Sequence, residues 1–388
     1  MSISEQQIGC DIIERARIFC KNSLQPIARE LDKNSRFPTE LLGEIGEAGF
    51  FGMNYGVEYG GGGYDSVITH MVAQEIAKAS AGVALTLHVH WMAIDVLIKF
   101  GTEAQKQKYL QVLLQGKKVA AYTISEVQAG SDAAGIKATA VNTDAGWVLN
   151  GTKYFCTNGG LADIYFVAFK TAAEAGVKGI SMFIVEKGTP GFAISVPDEK
   201  MGCRSSYTTG LTFNNCTIPH DNILGNINEG FKIAMYGLVG GRLGMASMGL
   251  GIAEAALESS AKYANKRTAF GKPLSALFAV QEMLADMYVK LEAAKLLVYD
   301  TAKKRDSGKD YALETSVAKL FVTGVVNEVS HKAVQIFGGH GYMKYNDVER
   351  YARDARLLDI GVGTSEVLKM VIGGTVARAA DFTLGKLR

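Results

Sequence analysis

The sequence predicts a mainly α-helical protein with a central β domain. Two observations carry this. Apolar residues recur at helical spacing through the first 116 residues, and again from residue 229 onward. Between these zones, short apolar runs are punctuated by Gly and Pro pairs, the pattern of strands and turns. At roughly 150 residues per domain, 388 residues accommodate about three units. The boundaries fall at 1–116 for an N-terminal helical domain, 117–228 for a middle β domain and 229–388 for a C-terminal helical bundle.

In the first zone, Asp11 to Leu24, Pro38 to Glu47, Val67 to Lys78 and Val83 to Phe100 read as helices. Thr39 reads as a cap beside Pro38, and Gly60 to Gly63 as a turn. In the second zone, Ile164 to Phe169 and Ile180 to Val185 read as strands, and Asn150-Gly151 as the hairpin turn of a small antiparallel domain. In the third, Phe231 to Asn265, Val280 to Arg305, Tyr311 to Phe337 and Thr364 to Ala380 read as four antiparallel helices. Gly237, Gly240, Gly241 and Gly244 fall inside the first of these. Each glycine costs a helix about 1 kcal/mol against alanine. Either a neighbour packs against that backbone, or the helix begins later.

Composition narrows the function. With 48% apolar and 21% charged residues, the chain is an ordinary globular protein. A net charge of +2 excludes polyanion binding by bulk charge, so no nucleic acid is expected. Cys10, Cys20, Cys156, Cys203 and Cys216 are scattered and odd in number, which argues against a disulfide framework or a structural metal. The N-terminus lacks a signal-peptide core and no membrane span is evident, so the sequence reads as a soluble cytoplasmic protein. No phosphate-binding GxxxxGK[ST], no GxSxG and no HExxH occurs, and Gly249-Leu-Gly251 lies within a helix, which argues against a Rossmann site.

Six polar or glycine-rich segments remain. They are Tyr122 to Asp132, Gly151 to Gly159, Phe213 to Gly225, Tyr263 to Pro273, Gln335 to Tyr342, and Arg353-Asp354 followed by Gly363-Thr364-Ser365-Glu366. In this order and spacing they resemble the acyl-CoA dehydrogenase family of flavoenzymes, over essentially the whole chain. The resemblance implies that family's fold, an FAD cofactor, an acyl-CoA thioester substrate, a homotetramer, and electron transfer to an electron-transfer flavoprotein.

It also implies residue roles. Tyr122, Ile124, Ser125, Gly130 and Ser131 resemble the loop under the flavin ring and toward its pyrophosphate. Phe155 and Thr157 resemble the aromatic cover and the hydroxyl donor beside flavin N5. Arg267 and Phe270 resemble the segment that reaches the FAD of a neighbouring subunit, and Gln335 and Gly339 its adenine-side loop. Thr364 and Glu366 resemble the cap on the pyrophosphate and adenosine. A glutamine commonly follows the arginine by eleven residues; Phe278 stands there, with Gln281 nearby. Arg242, Ser131 and Lys187 are expected near CoA, and Gly361, Val362 and Gly363 along the thioester.

The resemblance fails at the base. Most members carry Glu immediately before Gly-Thr-Ser, where this chain has Val362. A second solution places Glu before the arginine of the first bundle helix, where this chain has Gly241. Neither residue can take a proton. In the helix from Val83 to Phe100, His88, Met92 and Asp95 share one face among apolar neighbours. Asp95 is the expected replacement base, oriented by His88 or Trp91; the alternative is a salt bridge to Lys99. His88 and Met92 are expected to line the acyl pocket. The expected activity is desaturation of an unusual acyl group, cyclic for instance, with small residues at Gly241 and Gly361 making room. The alternatives are a base-free lyase of desulfinase type, an enoyl-CoA reductase, and a catalytically silent binding subunit.

Overall fold

The computed structural model describes residues 3–378. The N-terminal domain contains α1 (Ile3–Phe19), α2 (Ala28–Asn34), α3 (Leu42–Glu47), α4 (Ser66–Ala79), α5 (Ala81–Phe100) and α6 (Glu103–Leu114). Thr39 caps nothing: it opens a short 3-10 turn with no side-chain cap. The helices that matter are capped elsewhere. Asp65 accepts from Ile68 N to start α4, Ser80 from Val83 N to start α5, and Thr102 forms a capping box with Gln105 on α6. Helix α5 is long and apolar enough to cross a membrane by composition, but 89% of that stretch is buried inside the protein. It is a core helix.

The middle domain is built from β1 (Ala120–Thr123), β2 (Thr139–Thr143), β3 (Gly146–Thr157), β4 (Ile164–Lys170), β5 (Ile180–Glu186), β6 (Phe192–Ile194), β7 (Thr208–Ile218) and β8 (Ile223–Leu224). The sheet order is β6-β7-β3-β2-β4-β5-β8, with β1 added against β4. Pairing is antiparallel except that β1 and β2 both run parallel to β4, which corrects the all-antiparallel expectation. Asn150-Gly151 is no hairpin. Strand β3 runs straight through it, with Gly151 at φ +125 beside a register shift against β7. The tight turn is Asp144-Ala145, between β2 and β3.

The C-terminal domain holds α7 (Gly230–Lys266), a ribbon of β9 (Thr268–Ala269) and β10 (Lys272–Pro273), then α8 (Phe278–Asp306), α9 (Ala312–Phe337), α10 (Val348–Ala355) and α11 (Ser365–Arg378). Ala380, the expected end of the last helix, lies outside the described residues. Helix α7 packs against α4 and α5 on one side and α8 and α9 on the other. Its glycines answer the question raised by the sequence, since the helix is unbroken through all of them. A Cβ on Gly251 would meet the backbone carbonyl of Gln74 and lie 2.7 Å from Ala77 Cβ. Gly251→Ala is therefore expected to lose up to about 2 kcal/mol net, because overpacking against main chain outweighs the gain in helix propensity. A lower urea midpoint at unchanged m-value would register it.

Candidate active site

The site grows from the seam between α5 and α7. A Cβ on Gly240 would lie 2.8 Å from Asp95 Oδ2, one on Gly241 would lie 2.6 Å from Met92 Sδ and 3.0 Å from Val362 Cγ1, and one on Gly244 would lie 2.6 Å from His88 Cδ2. Four side chains thus enter notches left by three glycines. The seam brings together His88, Met92, Asp95, Gly241 and Val362, all singled out from the sequence. It also fills the room expected for a ring: Met92 occupies the Gly241 notch, and Met245 Cε lies 3.3 Å from the Cβ position of Gly361.

Asp95 has partners that the sequence did not reveal. Arg305 Nη2 donates to Asp95 Oδ1 at 2.8 Å, and the Tyr55 hydroxyl lies 3.1 Å from the same oxygen. Lys99 is not the partner, and neither His88 nor Trp91 orients the carboxylate. The Trp91 indole N–H donates to the carbonyls of Phe50 and Phe51 instead. The Tyr55 hydroxyl also lies 2.9 Å from Trp91 O and shares its one proton between the two acceptors, so Arg305 is the full donor to Oδ1, and Oδ2 is left toward Gly240. Burial pushes the Asp95 carboxyl up, and this outweighs the downward pull of Arg305 and Tyr55.

The loop after α10 supplies the other wall. Val362 adopts φ +56, a left-handed backbone that is strained for a β-branched residue, and Gly363 follows at φ +95. The loop is pinned from behind. The buried Lys319 ammonium donates to Gly363 O at 2.8 Å, and Ser365 Oγ donates to Asp359 at 2.9 Å. Burial pulls Lys319 down to about 8. Arg242 Nη1 donates to Ser316 Oγ at 3.1 Å, beneath the same loop. The Val362 N–H makes no hydrogen bond within the described residues. A free, pinned amide beside the seam is a ready donor to a carbonyl oxygen.

On the β-domain side, a bulge between Lys153 and Cys156 turns Phe155 outward. Its ring is 62% exposed and its φ is +56, an outlier with no folding role. Ile124 is buried, while Ser125 and Thr157 are partly open and flank the same shelf. Asn158 Nδ2 donates to Thr86 O and Ala120 O, tying the shelf to α5, while its Oδ1 is buried without a partner. Tyr122 lies against α7, its hydroxyl 2.9 Å from Ala234 O. Beneath the shelf, Lys153 and Glu126 form a buried pair at 2.7 Å. An exposed strained aromatic, adjacent hydroxyls and open backbone at Gly130 and Ser131 fit a planar, hydrogen-bonding ring with a polar tail.

The remaining expected residues lie apart. Arg267, Phe270 (90% exposed), Phe278 (80% exposed), Gln335, Gly339 and Glu366 face outward. Gln281 donates to Ser275 O, and Thr364 Oγ1 accepts from Val367 N at the start of α11. Lys187 donates to Gly160 O. Sequence reasoning missed Arg305, Tyr55 and Lys319. Lys319 had a signal, the one charged residue in the stretch 315–326 of α9. Arg305 had none.

The helix–sheet–helix plan and the exposed aromatic and hydroxyl groups on the β domain fit a flavin-dependent oxidoreductase. Models of the acyl-CoA dehydrogenase N-terminal, middle and C-terminal domains match residues 10–117, 121–216 and 228–377. The chain belongs to the acyl-CoA dehydrogenase family of FAD flavoproteins. It is 42% identical over 368 residues to a short-chain specific acyl-CoA dehydrogenase of Clostridium acetobutylicum, covering 94% of this chain and 97% of that one. It is 40% identical to an acryloyl-CoA reductase (NADH) of Anaerotignum propionicum, covering 94% and 93%. The structure of butyryl-CoA dehydrogenase from Megasphaera elsdenii superposes with a TM-score of 0.94 at 41% identity, covering 96% and 98%.

Proposed function

We propose that this chain desaturates an acyl-CoA at Cα–Cβ, with Asp95 as the acceptor of the α-proton in place of the absent glutamate. The observation that carries this is the division of labour on the Asp95 carboxylate. Arg305 and Tyr55 fix one oxygen, while the other faces the notch beside Gly240, next to the empty base position at Gly241. Val362, Gly363 and Lys319 act together: the lysine fixes the loop, and the Val362 N–H donates to the thioester carbonyl as the α-proton leaves. Ser125, Phe155 and Thr157 would hold FAD, which supplies the acceptor for the β-hydrogen. Ser131 and Lys187 are placed on the CoA side in this reading, while Arg242, also expected there, is held beneath the loop against Ser316. Met92 and Met245 set the acyl volume by filling the space beside Gly241 and Gly361.

The outward set Arg267, Phe270, Phe278, Gln335 and Gly339 would meet a second copy and its FAD in a homotetramer, with an electron-transfer flavoprotein as the electron acceptor. A second reading, enoyl-CoA reduction, is favoured by the acryloyl-CoA reductase relative. A desulfinase-type lyase fits less well. Arg305 is committed to Asp95, and Arg242 lies behind the loop against Ser316.

Anaerobic mixing of the flavin-loaded enzyme with straight, branched and cyclic acyl-CoAs, followed by flavin absorbance, tests the proposal. Bleaching by one class supports desaturation. Reoxidation of dithionite-reduced enzyme by enoyl-CoA, without bleaching by any saturated thioester, would replace it with the reductase reading.

A further inference from the structure

His88 is 3% exposed, and neither of its ring nitrogens has a hydrogen-bond partner. This sets it apart from the other histidine buried in α5. His90 uses both nitrogens, on Leu113 O at 3.1 Å and Ala120 N at 3.0 Å. A buried polar group is normally satisfied, and one left unmade in a well-packed core calls for an explanation. The His88 ring stands edge-on to Trp91 at 5.3 Å and presses against Gly244. It lies one helical turn from Met92, the side chain that reaches Gly241 and Val362. Met92 is unbranched and displaceable, so a ligand that moves it opens the way to the imidazole.

We infer that His88 hydrogen-bonds a neutral oxygen carried by the acyl chain, so that the enzyme selects an acyl-CoA bearing a hydroxyl or carbonyl a helical turn beyond the reacting carbons. The inference deepens the proposed function and rests on its placing of the acyl group along the α5–α7 seam. Burial holds His88 down to about 3, so the ring is neutral at working pH and offers one donor and one acceptor. That suits a hydroxyl or ketone and provides no charge for a carboxylate. The notches that hold Asp95 and His88, at Gly240 and Gly244, are one turn apart on α7, about 5–6 Å, which places the oxygen near the end of a six-carbon acyl chain.

The test compares hexanoyl-CoA with 6-hydroxyhexanoyl-CoA, measuring Kd by calorimetry on the flavin-loaded Asp95→Asn enzyme, where turnover does not interfere. The hydroxylated thioester is expected to bind about tenfold tighter or better. His88→Phe should abolish or reverse that preference, and His88→Asn should keep part of it, both with unchanged FAD content. Equal affinities, or a preference that survives His88→Phe, would overturn the inference. If His88→Phe does not fold, the comparison in the parent enzyme and His88→Asn decides. A preference that disappears in His88→Phe, alongside a failure of every thioester to bleach the wild-type flavin, would uphold the oxygen contact and remove the desaturation reading alone.

Discussion

Replacing Asp95 by asparagine is expected to slow substrate-driven flavin reduction by about 10²–10⁴-fold, the range supplied by a positioned general base. FAD content and thioester binding should persist. Stopped-flow reduction kinetics give the rate, and a rate within a few-fold of wild type would remove Asp95 from the chemistry. The substitution also leaves the Arg305 guanidinium without its carboxylate, so lost stability must be separated from lost catalysis. Arg305→Met is the control, because it keeps the base and removes the charge that opposes its upward shift. The sign follows directly. A base must be ionised to act, and burial already lifts Asp95 from its ordinary value. The acid limb of the rate profile should therefore lie above the ordinary aspartate value of 3.8 and move higher still in Arg305→Met. Asp95→Asn should have no such limb.

Lys153→Met is expected to destabilise the folded protein by about 3–5 kcal/mol, the cost of leaving one half of a buried ion pair uncompensated. The lysine is 1% exposed and the glutamate 3%. Glu126 accepts from Lys137 N at 2.7 Å, Ala138 N at 3.0 Å and Lys153 Nζ, and Lys153 also donates to Ile124 O at 3.1 Å. The pair therefore clamps the loop that carries Ser125, one of the residues proposed to hold FAD. FAD loss should accompany the drop in urea midpoint, and Glu126→Gln combined with Lys153→Met should recover part of both. Full flavin occupancy after dialysis of Lys153→Met would argue against the clamp. The wild-type pair carries a pH signature too. Lys153 holds the Glu126 carboxyl below its ordinary value of 4.5, so that contribution is complete above 4.5 and fades as pH falls through the folded value.

The three zones were legible because helix and strand periods differ, and long helices repeat their period often enough to be seen. Helix ends were less legible. Thr39 had the chemistry of a cap but sits inside a 3-10 turn, whereas Ser80 caps α5 from a position with the same chemistry. Asn150-Gly151 misled because a glycine at positive φ serves a bulge as well as a turn. The two empty base positions and Asp95 could be read from the chain, since they are local facts about residue type. The state of Asp95 could not, because Arg305 is 210 residues away in sequence and only the packing of α8 against the N-terminal domain brings it in. For the same reason, the glycines of α7 could be noticed but not interpreted until the helix opposite them was in place.

Those glycines also bear on how a reaction can outlive its catalyst. Where the side chains of one helix enter notches left by glycines on the other, a side chain rooted in either one can fill the same few cubic ångströms. A proton acceptor deleted from one backbone can be supplied from the facing one without moving the thioester, the flavin or the loop that polarises the carbonyl. On the proposed reading, the seam between α5 and α7 is an interchange of that kind, in which the base can change its position while the place where the proton leaves stays fixed.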